Sequence, residues 1–275
     1  MNTPNDARRL RALTIQELEV AASNGDTLCR RADVITALRA RADEAEGAYV
    51  TADLFAVAEA ERFSGQIQLV EMASGERAYQ LERLASVGET IRKTVLKRAA
   101  AQRIESTMDW RTELDSKLPA LPEDPEERER EIQAREEKAA ALAEISSARI
   151  SVLIGPAGTG KTTLLSVLCQ HPEIQEGNIV MLAPTGKARV RMEEVARQAG
   201  VANFSAKTLA QFLLPSKRFD PRSQRYVLTG APGKKCGQTV IVDECSMLTE
   251  EMLAALIEAL SGVRRLILVG DPWQL

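Results

Sequence analysis

Eight consecutive residues, Gly155-Pro156-Ala157-Gly158-Thr159-Gly160-Lys161-Thr162, match the spacing G-x-x-x-x-G-K-[ST] in full. Glycines at this spacing let successive backbone N–H groups turn inward around phosphate oxygens. A helix starting at the end of the run adds its positive N-terminal pole. In such a loop the ammonium of Lys161 reaches the β- and γ-phosphates of a nucleoside triphosphate, and the hydroxyl of Thr162 is an oxygen ligand for Mg²⁺. The chemistry expected of the loop, continued into Thr163, is binding of a nucleoside triphosphate with Mg²⁺.

A second group completes such a site. Val240-Ile241-Val242-Asp243-Glu244 closes an apolar run with two adjacent carboxylates. Asp243 is the expected Mg²⁺ partner, and Glu244 is placed to polarise an attacking water as general base. A third apolar run ends in Leu268-Val269-Gly270-Asp271-Pro272-Trp273-Gln274-Leu275, where Gln274 is positioned to sense the γ-phosphate. The expected catalytic set is Lys161, Glu244 and Gln274.

These groups are far apart in sequence, so the scaffold must bring segment ends together. RISVLI (149–154), NIVMLA (178–183), TVIVD (239–243) and RRLILVGD (264–271) read as short buried strands. Between them, TTLLSVLC, ARVRMEEVARQA and EEMLAALIEAL carry helical periodicity. Alternation of this kind predicts an α/β fold of the P-loop NTPase type, a parallel sheet flanked by helices with its ligands at the carboxyl ends of the strands.

The preceding half reads differently. Apolar residues recur at helical spacing from Thr14 to about Phe63, and two short apolar runs around Ala73-Ser74-Gly75-Glu76 predict a β-hairpin near 66–81. Residues 81–104 form an amphipathic stretch with Leu84, Ile91, Val95 and Leu96 on its apolar side and a solvated basic face. Pro119, Pro122 and Pro125, followed by a run dense in mixed charge, predict a linker. The expected division is a small mainly helical domain over 1–117 with a winged-helix-like arrangement as one possible topology, a linker over 118–137, and the nucleotide-binding domain over 138–275.

Composition narrows the alternatives. With 36 Lys and Arg against 39 Asp and Glu the net charge is −3, so any surface for a polyanion must be local. Cys29, Cys169, Cys236 and Cys245 have no C-x-x-C spacing and His171 is the single histidine, which excludes a zinc site and leaves histidine-dependent nucleophilic catalysis to one helix-end residue. No run approaches a membrane span or a signal peptide, and a cytoplasmic location with no membrane partner is the expectation.

GPAGTGKTT, LAPTGKA (182–188), VDECSM (242–247) and LVGDPWQL together resemble motifs I, Ia, II and III of RecD-like superfamily-one DNA helicases. The resemblance covers about residues 139–275 and implies the first of two RecA-like motor domains, with ATP-driven translocation on single-stranded DNA, 5′ to 3′ in the complete protein. It makes Pro184, Thr185 and Lys187 candidate contacts to the DNA backbone. Thr208 joins them in Ala206-Lys207-Thr208-Leu209-Ala210-Gln211, where the histidine often found in the family is Ala210. The glutamine that reads adenine in that family falls near Lys138, and Gln133 does not fit its spacing. The sequence ends at Leu275, ahead of motifs IV to VI and the arginine fingers of a second RecA-like domain, so the expectation for this polypeptide alone is nucleotide binding with little turnover.

Between Ser216 and Lys235 stand Lys217, Arg218, Arg222, Arg225, Lys234 and Lys235, with Phe219 and Tyr226 interleaved. Such a stretch can neutralise phosphates and stack on unpaired bases, and the same composition also describes a solvated hairpin. Two other function classes fit the P-loop: a regulatory nucleotide-binding module that never unwinds DNA, and an ATPase acting on RNA or in conjugative DNA processing.

Overall fold

The computed structural model describes residues 6–41, 50–156 and 158–271. The chain forms two compact units, Met1–Thr90 and Ile91–Leu275. Among the described residues no helix is long and apolar enough to cross a membrane.

In the first unit, α1 (Ala7–Ser23) starts at Asp6, whose carboxylate accepts from Arg8 N at 2.9 Å, and buries Leu10, Thr14 and Leu18 at four-residue spacing. Helices α2 (Arg31–Arg41) and α3 (Ala52–Glu61) complete its helical part. A three-stranded antiparallel sheet has the order β1-β3-β2, from β1 (Cys29–Arg30), β2 (Ile67–Glu71) and β3 (Arg77–Leu81). The expected hairpin is β2–β3, turning where Gly75 takes φ +81°, a conformation open to glycine at little cost. Tyr79 lies between Phe55 and Phe63, with ring centroids at 6.4 and 5.4 Å, in the core of this unit.

Helix α4 (Glu82–Ala99) runs from the first unit into the second. Leu84 is buried as its periodicity implies, but Leu96 is exposed. Arg98, expected on a solvated face, is partly buried and donates to the carbonyls of Arg149 (3.0 Å) and Val263 (3.3 Å), satisfying loop ends that enter strands.

The second unit is built on a five-stranded parallel sheet, order β4-β12-β10-β5-β6, from β4 (Ile150–Ile154), β5 (Ile179–Ala183), β6 (Phe204–Thr208), β10 (Thr239–Val242) and β12 (Arg265–Gly270). Strands β5 and β10 are buried along their whole length, as expected of strands covered on both faces. Alternation divides their side chains. Met181, Ile241 and Ile267 face a cluster with α5 (Trp110–Lys117), α6 (Pro125–Ser147), α7 (Lys161–Gln170) and α9 (Gly186–Gln198), which follows the short α8 (Pro172–Gln175). Val180, Val240 and Leu266 face α10 (Leu209–Leu213) and α11 (Glu250–Ala259). Short pairs β7 (Phe219–Asp220) with β8 (Arg225–Tyr226), and β9 (Lys234–Lys235) with β11 (Leu260–Ser261), lie outside this sheet.

The linker expected over 118–137 is a correction. The units divide at Thr90 and Ile91, and residues 125–147 are the 23-residue helix α6. Pro125 initiates it: proline at the first helical position lacks only an N–H that would be unpaired there, and Asp124 caps the end by accepting from Glu127 N at 2.9 Å. Mixed charge then supports the helix through pairs one turn apart. Arg135 is buried and bonds Glu131 (2.8 Å), Asp115 (2.9 Å) and the Pro119 carbonyl (2.6 Å), while Leu142 and Ile145 bury the other end of the stripe.

Candidate nucleotide-binding site

The Gly155–Thr162 loop joins the carboxyl end of β4 to the first turn of α7. Gly158 and Gly160 take φ +82° and +83°, which a side chain would strain, and the fold of the loop depends on both. A Cβ on Gly155 would lie 2.9 Å from Thr159 Oγ1, which donates to the Pro156 carbonyl at 2.9 Å, so the loop is also closed tightly on itself. Gly160 caps α7 without a side-chain acceptor, leaving the first-turn N–H groups to an external anion. Lys161 donates its ammonium to the carbonyls of Gly155 and of Pro156 (2.8 Å), and Thr162 and Thr163 stand exposed beside it. Ala157 lies outside the described residues.

Two strands away, Asp243 follows β10, its N–H donating to the Leu182 carbonyl at 2.9 Å. Its carboxylate accepts from Glu244 N at 2.9 Å. That bond helps hold Glu244 at φ +51°, ψ 39°, a left-handed conformation that costs a non-glycine residue about 1–2 kcal/mol. Strain of this kind persists where the surroundings enforce it, and here it turns the chain off the strand end. Sequence reasoning passed over Asp271, which follows β12 as Asp243 follows β10 and is buried at 7% exposure. The signal was available, since a carboxylate ends each of two neighbouring parallel strands. Gly270 admits no side chain, because a Cβ would meet Cys245 Sγ at 2.8 Å where the turn Cys245–Met247 closes over β12.

One cavity of about 370 Å³ gathers these groups. Gly158 to Thr163, Asp243, Glu244 and Asp271 supply its polar walls, and Cys169, Met181 and Met192 an apolar part between α7 and α9. Burial pushes the Cys169 thiol up to about 12, so it stays a neutral wall residue. Among the described residues no three His, Cys, Asp or Glu side chains form a ready metal cage. The oxygen donors present nonetheless suit a hard cation such as Mg²⁺, which commonly takes one or two protein oxygens with phosphate and water completing the shell. Gln274 lies outside the described residues.

The residues proposed to meet DNA occupy the same sheet edge at the neighbouring strands. Thr185 caps α9, accepting from Ala188 N at 3.2 Å, with Pro184 before it and an exposed Lys187 in the first turn. Thr208 ends β6, paired with Ala183 of β5, and shares a capping box with Gln211. Both hydroxyls accept from helix N–H groups and keep their own O–H as a donor. His171 ends α7 and packs its ring on Trp110 at 5.3 Å, a structural position.

The 216–235 stretch needs correcting. Arg218 is 2% exposed, with Nε 2.6 Å from Glu258 Oε2, and its guanidinium also donates to the Ala231 carbonyl. Phe219 and Tyr226 pair at 4.9 Å and pack against the α11 side of the core. Their faces are used within the fold, which leaves Lys217, Arg222, Arg225, Lys234 and Lys235 exposed.

Comparison with known proteins places this architecture. Residues 133–275 match the family model described as an AAA domain. The RecBCD enzyme subunit RecD of Mycolicibacterium smegmatis is 33% identical over 157 residues, covering 51% of this chain and 27% of that protein. The ATP-dependent RecD2 DNA helicase of Deinococcus radiodurans is 33% identical over 141 residues, covering 51% and 18%. The conjugal transfer protein TraA of Rhizobium radiobacter is 30% identical over 141 residues, covering 51% and 11%. The chain thus spans about a quarter or less of the length of these relatives. With the P-loop, the paired carboxylates and a parallel sheet of RecA-like order in place, the chain belongs to the AAA-domain family, and about half of it is similar in sequence to RecD-type proteins.

Proposed function

We propose that this chain is the ATP-gripping part of a magnesium-dependent motor that moves on single-stranded DNA in the cytoplasm. The observation that carries this reading is the row of strand ends along one sheet edge: the phosphate loop at β4, Asp271 at β12, Asp243 and Glu244 at β10, then Thr185, Lys187 and Thr208 beyond β5 and β6. In this reading the backbone of Gly155 to Thr163 and Lys161 hold the triphosphate, and Thr162 and Asp243 hold Mg²⁺. Glu244 takes a proton from the attacking water. Bound magnesium would supply charge neutralisation along the phosphate tail. Gln274 is proposed as the sensor of the γ-phosphate, and a second RecA-like domain as the partner facing this edge.

DNA lies, in this reading, along the β5 and β6 ends, where Pro184, Thr185, Lys187 and Thr208 meet its phosphates, and the exposed Arg222 and Arg225 are separate candidate phosphate contacts. Single-stranded DNA is expected to bind with a salt-dependent affinity. Lys187→Glu, and separately the pair Arg222→Glu with Arg225→Glu, should each weaken it by about tenfold through lost phosphate neutralisation, with nucleotide affinity intact. Filter binding or anisotropy at two salt concentrations reads this out. Wild-type protein with no affinity for single strands would favour the regulatory module instead.

A further inference from the structure

Helix α6 carries an odd cation at the mouth of the phosphate loop. Its buried stripe runs through Leu142 and Ile145, and Lys138 sits one turn earlier on the same face. A Cβ built on Gly160, the residue that caps α7, would lie 3.9 Å from Lys138 Cε. The end of the lysine stem therefore lies beside the residue at which the phosphate loop enters α7. Both positions one turn away, Ala134 and Leu142, are apolar, so this otherwise charge-paired helix offers Lys138 no acid at four-residue spacing. Glu131, whose carboxyl is held below the ordinary range first by its hydrogen bond to Arg135, also feels the Lys138 charge. That carboxylate is committed to Arg135 at 2.8 Å.

We propose that Lys138 is a second phosphate-holding cation of this site, reaching the nucleotide tail past Gly160, and that it makes binding follow tail charge more than base identity. The proposal rests on the P-loop reading given above. Two features favour the phosphates over the base. The lysine stem passes Gly160, a residue of the phosphate loop, and Lys161 is engaged with the carbonyls of Gly155 and Pro156, so a polyanion arriving there would meet Lys138 as a second ammonium. An ammonium also has donors and no acceptor, so it cannot accept from the adenine amino group, the feature that distinguishes adenine from guanine at that position. A compact cation on a flexible stem serves a spread of phosphate oxygens better than one base edge.

The test uses the full chain, Lys138→Ala, and three magnesium-loaded probes: ATP, GTP and inorganic tripolyphosphate. Lys138→Ala should weaken all three alike, by about 5- to 10-fold as one charge-assisted contact is lost, with a shallower salt dependence and an unchanged melting temperature. Unchanged affinity for every probe would overturn the proposal by making Lys138 a solvent lysine. A loss confined to one nucleotide, with tripolyphosphate unaffected, would overturn it by making Lys138 a base contact. Lys161→Ala is the separate control. If it binds all three probes as the wild type does, the P-loop reading fails, whatever Lys138→Ala shows.

Discussion

Glu244→Gln is expected to cut nucleotide turnover by about 10²- to 10⁴-fold, the usual contribution of a positioned general base, and to leave nucleotide affinity nearly unchanged. The reasoning is local. Glu244 stands at the carboxyl end of β10 and lines the cavity that the P-loop lines. The amide isostere keeps its size and its N–H bond to Asp243, and removes only the capacity to take a proton. Glu244→Gly separates chemistry from fold. Glycine accepts φ +51° freely, so this variant should fold at least as stably as the wild type while losing the same turnover. Single-turnover hydrolysis with melting curves for both variants decides the matter. Full turnover in Glu244→Gln would remove the general-base role.

Arg218→Ala is expected to cost about 3–5 kcal/mol, the penalty of breaking a buried ion pair from one side. Glu258 accepts from Thr229 N (2.9 Å), Gly230 N (2.7 Å) and Arg218 Nε (2.6 Å), and together these pin the 218–231 segment to α11. Desolvation raises the Glu258 carboxyl, but the two backbone N–H groups and the guanidinium outweigh it, so its pKa lies below the ordinary glutamate value. A depressed folded pKa gives stability that is present above the ordinary glutamate range and lost as pH falls through the lowered value. The gap between wild type and Arg218→Ala should therefore be widest near neutral pH and narrow on acidification. Denaturant titration at several pH values measures it, and a loss under about 1 kcal/mol at neutral pH would mark the pair as an ordinary surface contact.

The parts of the site that could be read from sequence are those whose chemistry is written in adjacent residues. A glycine-spaced loop between an apolar run and a helical run fixes its own context, and apolar runs such as IVMLA are unmistakable when a strand is covered on both faces. Other features depend on partners far away. Arg218 has the sequence appearance of a surface charge, and only Glu258, forty residues on, makes it a buried one. Phe219 and Tyr226 looked free to stack on bases because their packing partners come from another part of the chain. Pro125 reads as an interruption in the sequence because a proline that starts a helix and one that breaks it differ only by the position of the first turn. Asp271 belongs to neither extreme: a carboxylate closing a buried strand is a readable pattern, and only the cavity it shares with the phosphate loop marks it out.

Titration calorimetry of magnesium–ATP against the wild-type chain and against Lys161→Ala tests most directly whether the Gly155–Thr162 loop holds a triphosphate. Saturable binding heat is expected from the wild type, and affinity lower by about 30- to 100-fold from Lys161→Ala, the loss of one ammonium–phosphate contact in a partly enclosed site. Equal affinities for the two proteins, or no heat from the wild type, would contradict it.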